Sequence, residues 1–391
     1  MGLFFKSNKK KDRVVVILDV GSGSVGGACA VIPKDFEENI PTILKSVRFE
    51  IKQNLTHDKN LFEKEAINTI KKVAQALYQS RIGKIDEVVC VITSPWCNSE
   101  TKRVSLSNKK PFVLTKKILD ELVTKETFEI NQNFKKEKGE SAELIEKLVT
   151  EVFVDDRSEV DPVGQKCQFL DLNLSYSYSS RSFIDKTREA LSGIFSCPLI
   201  SFSSFPILTY LMIRENFAGE ETHLLLDIGS EVTDLSVINN GVFKQKYSFP
   251  FGKRTIFKHL ALSLKIEDRD AVEIFKLYYH NELSASVKEK VKLVFNSIEK
   301  FWSEELKLCL NSIPKKHELP KVMFLTIDND MRNWFFEVFK NTEFANNITL
   351  HNKFRVIILD ENEMIEMCAY QEGTHDPFLI IEAIALSQKQ K

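Results

Sequence analysis

The chain has 391 residues, of which 43% are hydrophobic, so it is long enough to bury the cores of two or three domains. Its 54 lysines and arginines balance 55 aspartates and glutamates, which excludes a chain-wide basic field for nucleic acid, and we expect no nucleic-acid partner. Seven cysteines without a CxxC pair, with scattered histidines, are typical of reduced thiols in a cytoplasmic protein and argue against a zinc site.

The first thirteen residues, MGLFFKSNKKKDR, differ in character from the rest of the chain. Three apolar residues precede four lysines and an arginine, a pattern too short for a secretory signal. Lys6 also stands where a myristoylation signal requires Ser or Thr. We expect residues 1–13 to form either a disordered, solubilising arm or a weak contact with a membrane surface or a partner.

Residues 14–94 and 196–220 are expected to form a first α/β domain. RVVVILDVGSGSVGGACAVI predicts a strand, a glycine-rich turn and a returning strand, and TILKSVRFEIK predicts a third strand. Apolar residues at helical spacing between Leu61 and Ser80 predict a helix, and DEVVCVITSP predicts another buried strand. Strands joined by a crossover helix are typical of an α/β domain.

Residues 95–195 change in texture and are expected to form a small α+β subdomain inserted into the first domain. NSETKRVSLS and QFLDLNLSYSYSS alternate polar and apolar residues as strands do. TKKILDELVTKETFEINQNF predicts a helix with Thr115 as its N-cap, and RSFIDKTREALSGIF predicts an amphipathic helix.

Residues 221–375 repeat the opening pattern and are expected to form a second domain. HLLLDIGSEVTDLSVINNGVFKQKYSFP predicts three strands, with Asn240 and Gly241 in a tight turn. Amphipathic segments predict a helical part at about residues 256–313. DPFLIIEAIALSQKQK, residues 376–391, predicts a C-terminal helix that packs back on the fold.

Two segments carry the same Asp-x-Gly-Ser pattern between apolar strands, which indicates an internal duplication. Their polar and glycine residues are Asp19, Gly21, Ser22 and Gly23 in the first segment, and Asp227, Gly229 and Ser230 in the second. Glycine lets backbone N–H groups approach a phosphate, the serine hydroxyl adds a donor, and each aspartate can hold a hydrated Mg²⁺. The pair therefore predicts two facing hairpins that clamp a triphosphate; the alternative is two ordinary turns.

On these motifs the chain resembles the actin-like ATPase superfamily, and within it the FtsA family of cell-division proteins and the PilM family of pilus-assembly proteins. The resemblance implies a duplicated, ribonuclease-H-like α/β fold of two domains with an FtsA-type inserted α+β subdomain. It also implies ATP and Mg²⁺ as cofactors, the metal being held through water by Asp19 and Asp227. AVEIFK resembles the helix that flanks the adenosine in this superfamily, which adds Glu273 and Lys276 to the nucleotide-binding residues; a surface ion pair is the alternative.

The sequence also departs from the family motifs. Where a Gly-Gly-Gly-Thr run is usual, Glu231 and Val232 follow the second motif, and a carboxylate there would repel a phosphate or bind Mg²⁺. Asp328 and Asn329 stand where two glycines would admit the adenosine, and Gly26 and Gly27 after the first turn are unusual. SFSSFPILTYL lacks a side chain to orient an attacking water, so no catalytic residue is assigned and we expect at most a weak ATPase or a pseudo-ATPase.

The resemblance implies a scaffold of cell division that binds ATP weakly or not at all, can associate into filaments, and links a cytoplasmic assembly to the membrane. Its partner would be the tubulin-like division protein, and its location the inner face of the cell membrane, with residues 1–13 as a possible contact. The alternative is a PilM-type scaffold with a pilus inner-membrane protein as partner, which the two termini favour, whereas the insert favours FtsA. A sugar-kinase-type phosphotransferase and a plasmid-segregation filament are weaker alternatives.

Overall fold

The computed structural model describes residues 12–34, 39–52, 58–138, 141–159, 161–196, 199–314, 319–340, 354–371 and 375–389. Nearly all of the predicted arm, residues 1–13, lies outside these ranges. The strands within them are β1 (Arg13–Val20), β2 (Ser24–Ile32), β3 (Thr42–Glu50), β4 (Glu87–Ile92), β5 (Cys97–Val113), β6 (Ala142–Val154), β7 (Arg157–Ser158), β8 (Lys166–Ser180), β9 (Ile200–Ser204), β10 (His223–Ile228), β11 (Thr233–Asn239), β12 (Val242–Phe249), β13 (Val322–Ile327), β14 (Arg355–Ile358) and β15 (Ala369–Tyr370).

The helices connect these strands and cover the sheets. In chain order they are α1 (Lys59–Gln79), α2 (Lys116–Lys138), α3 (Arg181–Ser192), α4 (Phe205–Asn216), α5 (Lys253–Leu264), α6 (Asp268–Tyr279), α7 (Ala285–Asn311), α8 (Arg332–Lys340) and α9 (Pro377–Gln388). Among the residues that the structure describes, none of these helices combines the length and apolarity needed to cross a membrane.

Two sheets have the same topology, which confirms the predicted duplication. The first has the order β3-β2-β1-β4-β9, with β15 added outside β3, and the second has the order β12-β11-β10-β13-β14. In each, an antiparallel meander of three strands is followed by two parallel strands. A parallel neighbour needs a crossover, which α1 supplies in the first half and α5 to α7 supply in the second. The chain is therefore a duplicated α/β fold, as predicted.

The insert forms a third sheet with the order β5-β8-β6-β7. Helix α2 covers one face, where Val123 and Ile130 pack with Val104, Leu172 and Leu174 of the strands. This confirms an inserted α+β unit between β4 and β9. Helix α3 lies within residues 95–195, which were expected to form the insert. It packs instead on α1 and contributes to the core of the first domain.

The C-terminal part of the chain returns to the first sheet. Ala369 on β15 pairs with Thr42 on β3, although residues 221–375 were expected to belong to the second domain. Helix α9 is apolar on all sides, and it is buried between α4 and the first sheet, as such helices usually are. Asp376 caps α9 by accepting hydrogen bonds from the backbone N–H groups of Phe378 and Leu379.

Candidate functional site at the two hairpin turns

The turns of the β1–β2 and β10–β11 hairpins lie beside a cavity of 810 Å³ between the two domains. Gly23 and Ser230 reach this cavity from the two turns. Helices α5 and α6, the strand β3 and the start of α9 complete its walls. Its charged lining residues are Arg48, Lys52, Lys253, Arg254, Arg269 and Lys276 against Glu50, Asp268, Asp328, Asp330 and Asp376.

The first aspartate, Asp19, is held by a guanidinium. Its side chain is buried, and Arg48 Nη2 donates to Asp19 Oδ2 at 2.6 Å. Arg48 Nε donates to Asp376 Oδ2 at 2.6 Å, and Arg48 Nη1 donates to the Ser24 hydroxyl at 2.8 Å. Burial raises the pKa of Asp19, and the charge of Arg48 opposes that rise. All three nitrogens of this guanidinium therefore have partners around the first turn.

The backbone register shows how Arg48 reaches an aspartate two strands away. Asp19 on β1 is paired with Gly26 on β2, and Gly26 is paired with Arg48 on β3. A Cβ atom at Gly26 would lie 2.4 Å from Arg48 Nη2. Because Gly26 has no side chain, the side chain of Arg48 can cross over β2 at this position and reach Asp19. Gly27 has a different role, because a Cβ there would lie 2.4 Å from Val73 of α1.

The second aspartate, Asp227, is held by hydroxyl groups. The Thr326 hydroxyl donates to Asp227 Oδ1 at 2.7 Å, and the Thr93 hydroxyl donates to Oδ2 at 3.2 Å. Burial, opposed by the hydrogen bond from the Thr326 hydroxyl and reinforced by the nearby carboxylate of Asp234, raises the pKa of Asp227 to about 7. The pairing with Thr93 also joins the second hairpin to the end of β4 in the first domain.

Asp234 forms the most deeply buried ion pair of the two hairpins. Lys246 Nζ lies 2.9 Å from Asp234 Oδ2, and both side chains are 3% exposed. The hydroxyl of Ser94 donates to the same oxygen at 2.7 Å, and Lys246 donates to that hydroxyl at 2.9 Å. Because Ser94 follows β4, this network also spans the two domains.

The two turns touch each other. The backbone N–H of Glu231 donates to the Ser22 hydroxyl at 3.1 Å. A Cβ atom at Gly23 would lie 2.5 Å from Ser230 Cβ, so the backbone of one turn rests against the side chain of the other. At the second turn, the N–H groups of Lys253 and Arg254 at the start of α5 donate to the carbonyls of Gly229 and Ser230. The first N–H groups of this helix are thus satisfied within the protein.

The remaining predicted site residues are more dispersed. Lys276 lines the cavity, whereas Glu273 lies on an exposed position of the same helix. Asp328 and Asp330 both pair with Lys253, at 3.0 and 2.6 Å. Glu231, expected near the phosphates, pairs with Arg254 at 3.0 Å.

Ser203 and Ser204 lie in the segment SFSSFPILTYL, which was expected to lack a side chain that orients an attacking water, and their hydroxyls are engaged with other groups. Glu146 of the insert accepts from the Ser204 hydroxyl at 2.9 Å, and Lys389 donates to the Ser203 hydroxyl at 3.0 Å.

Comparison with known proteins bears on the fold alone. No protein-family model and no curated protein sequence matches the chain. A solved structure of a PilM–PilN type IV pilus biogenesis complex superposes with a TM-score of 0.62 at 12% identity, over 96% of this chain and 97% of that one. The chain has the actin-like ATPase fold.

Two weaker structural similarities cover nearly as much of the chain. The ethanolamine utilization protein EutJ from Carboxydothermus hydrogenoformans is 13% identical, with a TM-score of 0.48 over 95% of this chain and 88% of that one. A Bacteroides thetaiotaomicron protein described as having an actin-like ATPase fold and unknown function is 10% identical, with a TM-score of 0.41 over 98% and 99%.

The arrangement at the hairpin turns does not fit Mg²⁺ and a triphosphate. Hydrated Mg²⁺ needs a carboxylate that is free to bind it, and Asp19 is already neutralised by Arg48. Asp227 accepts two hydroxyl donors and has a raised pKa, which disfavours the charged form that a metal prefers. Gly23 also rests directly against Ser230, so the tips of the two turns are in contact with each other.

Sequence reasoning missed Arg48, Lys246 and Asp376, although it noted Gly26. Asp376 was placed only at the start of a helix, and its second role as a partner of Arg48 joins positions far apart in the chain. The unusual glycine was the available signal, because a glycine inside a central strand marks a close approach by another group.

Proposed function

We propose that the protein is an actin-fold scaffold of the PilM type, which holds protein partners at the cytoplasmic side of a membrane-bound assembly. The observation that carries the proposal is the superposition of almost the whole chain on a structure from a PilM–PilN complex. The arrangement of the hairpins is consistent with a scaffold, because their polar groups are engaged with each other rather than arranged for phosphoryl transfer.

The insert supports a structural role, because it contacts both domains. Glu146 accepts from Ser204 of the first domain, while Glu151 pairs with Lys244 of the second domain at 3.0 Å. The Thr101 hydroxyl donates to the carbonyl of Phe243 on β12. These contacts oppose the relative rotation of the domains that a cycle of nucleotide binding and release would require.

The partner-binding surface is proposed to lie on the insert. Phe169 on β8 and Phe128 on α2 are 56% and 64% exposed, and aromatic side chains commonly act as anchors in protein interfaces. A partner that covers Phe169 would gain affinity from burying this ring without a rearrangement of the domains.

The test compares two candidate partners on the full chain. Immobilised protein is titrated with the cytoplasmic peptide of a pilus inner-membrane protein and, separately, with the tubulin-like division protein. We expect the pilus peptide to bind, and Phe169→Ser to weaken it about tenfold or more. Leu262→Ser, which changes an exposed apolar residue of the second domain, is the matched control and is expected to leave the affinity unchanged.

Binding of the division protein alone would replace the proposal by the FtsA-type alternative, and binding of neither would reject both. Filament formation belongs to the FtsA-type alternative and is checked on the same preparation by sedimentation with and without ATP. Co-sedimentation with anionic vesicles, compared with a chain that lacks residues 1–13, tests the membrane contact; equal sedimentation would reject the arm as the anchor.

A further inference from the structure

The buried carboxylates at the first turn share a cation that the protein itself supplies. Asp19 and Asp376 are both buried, and Arg48 lies 2.6 Å from an oxygen of each. Two carboxylates around one cation are also the arrangement by which proteins hold a divalent ion. Here the cation is a guanidinium, whose planar fork of donors suits two carboxylates and the Ser24 hydroxyl at once.

The pairing of β1, β2 and β3 fixes the position of Arg48 relative to Asp19. Arg48 sits on β3 in direct register with Gly26, and Gly26 in direct register with Asp19. Any side chain at the glycine would collide with the guanidinium, because even a Cβ would lie 2.4 Å from Nη2. The guanidinium in this position therefore requires a glycine at residue 26.

The contact between the β1–β2 turn and the β10–β11 turn is related to the pairing of Arg48 with Asp19. The guanidinium of Arg48 offsets part of the repulsion between the Asp19 carboxylate and Asp227 of the second turn, and Asp227 itself has hydroxyl partners. The turns then meet through the hydrogen bond from Glu231 to Ser22 and the contact of Gly23 with Ser230. A buried charge without a partner would cost several kcal/mol, so the cation is needed for the two turns to meet.

We propose that Arg48 takes the place of the divalent cation at the first hairpin, so that the two domains close on each other without nucleotide or metal. The chain is then a scaffold in a constitutively closed state. This inference goes beyond the proposed function and does not depend on the identity of the partner, so partner binding and cation replacement are tested by separate experiments.

The first arm of the test asks whether the intact protein responds to metal and nucleotide. We expect the melting temperature of the full chain to change by less than about 1 °C in millimolar MgCl₂ and ATP, because a ligand stabilises only the state that it binds. Titration calorimetry under the same conditions is expected to give no Mg²⁺-dependent heat. Mg²⁺-dependent ATP binding with a Kd below about 0.1 mM would overturn the proposal.

The second arm removes the internal cation. Arg48→Ser should lower the melting temperature. Millimolar Mg²⁺ should then raise it by several degrees, because Mg²⁺ would bind the freed carboxylates of the folded protein and a ligand present well above its Kd stabilises the state that it binds. In the double variant Arg48→Ser with Asp19→Asn, the restoration should disappear. K⁺ at equal ionic strength is the control for screening.

Equal responses of Arg48→Ser and the unchanged protein to Mg²⁺ would overturn the replacement of a cation by Arg48. If Arg48→Ser does not fold, Arg48→Lys keeps a positive charge but loses the fork of donors. For Arg48→Lys we expect a smaller fall in melting temperature and no response to Mg²⁺; a Mg²⁺-dependent gain in this variant would contradict the proposal.

Discussion

The two halves of the molecule share a backbone but treat their buried aspartates differently. In the first half, three residues in register across three strands are Asp19, Gly26 and Arg48. Gly26 on the middle strand has no side chain, so the guanidinium of Arg48 on β3 reaches the carboxylate of Asp19 on β1. One long side chain thus satisfies an acid two strands away.

In the second half, the residues at the corresponding positions are Asp227, Asp234 and Ser248. The middle position carries a second carboxylate, and its cation comes from Lys246, two residues earlier on the same outer strand as Ser248. Asp227 is left with hydroxyl partners and a pKa of about 7. The comparison shows that the register fixes where the charges meet, whereas the side chains decide whether the aspartate is paired with a cation or carries a proton.

The largest expected effect comes from removing the cation of the second half. Lys246→Met leaves Asp234 charged and buried, and should destabilise the protein by about 3–5 kcal/mol. Urea denaturation measures the change through the midpoint of the transition. The double variant Lys246→Met with Asp234→Asn carries no buried charge and should regain much of the loss. A double variant as unstable as the sum of the single variants would contradict the ion-pair explanation.

The next largest effect is expected from adding a side chain at Gly26, where the Arg48 guanidinium crosses β2. Gly26→Ala displaces the flexible guanidinium of Arg48, and the loss of its contacts should cost about 2–3 kcal/mol. Gly193→Ala is the control, because the nearest atom to a Cβ there is 3.7 Å away and little change is expected. In an Arg48→Met background the same Gly26 substitution should cost much less; an unchanged cost would show that the alanine acts on something other than the guanidinium.

A smaller effect concerns the pH dependence of the second half. Burial raises the folded-state pKa of Asp227 from its ordinary 3.8 to about 7, so the folded protein binds one more proton than the unfolded chain between these values. The stability contributed by this proton is fully present below the ordinary pKa and is lost as the pH rises through 7. Between pH 5 and 6 the unchanged protein should therefore lose about 1.4 kcal/mol relative to Asp227→Asn.

The measurement is a set of urea titrations of both proteins at several pH values. Asp227→Asn retains one oxygen, which can accept from Thr326, and its amide does not titrate, so its own stability should depend less on pH. Parallel pH profiles for the two proteins would show that Asp227 does not carry a proton in the folded state.

The smallest effect is expected at the turn itself. Glu231 and Arg254 are 29% and 24% exposed, so water screens their pairing. Glu231→Gln should change stability by less than about 1 kcal/mol, and added salt should reduce the difference further. Destabilisation as large as that of Lys246→Met would show that the turn, rather than the strands beneath it, holds the hairpin.

Much of the architecture follows from the sequence because it depends on local patterns. Apolar runs on both sides of Asp19 and Asp227 predict two buried hairpins, and their likeness predicts two sheets of the same topology. The polar texture after β4 likewise predicts an inserted unit. These features repeat along the chain at strand and helix spacing, so no long-range contact is needed to see them.

The partners of the buried charges were decided only by the tertiary structure. Arg48 lies 29 positions from Asp19 and 328 from Asp376, and no spacing along the chain links the three. The register of β1, β2 and β3 brings the first two together, and the return of the C-terminal helix to the first sheet brings the third. The sequence by itself determined that two hairpins with buried aspartates would form; packing decided that these aspartates are satisfied by the protein's own cation and hydroxyl groups, because a charge removed from water must find its partner nearby in space.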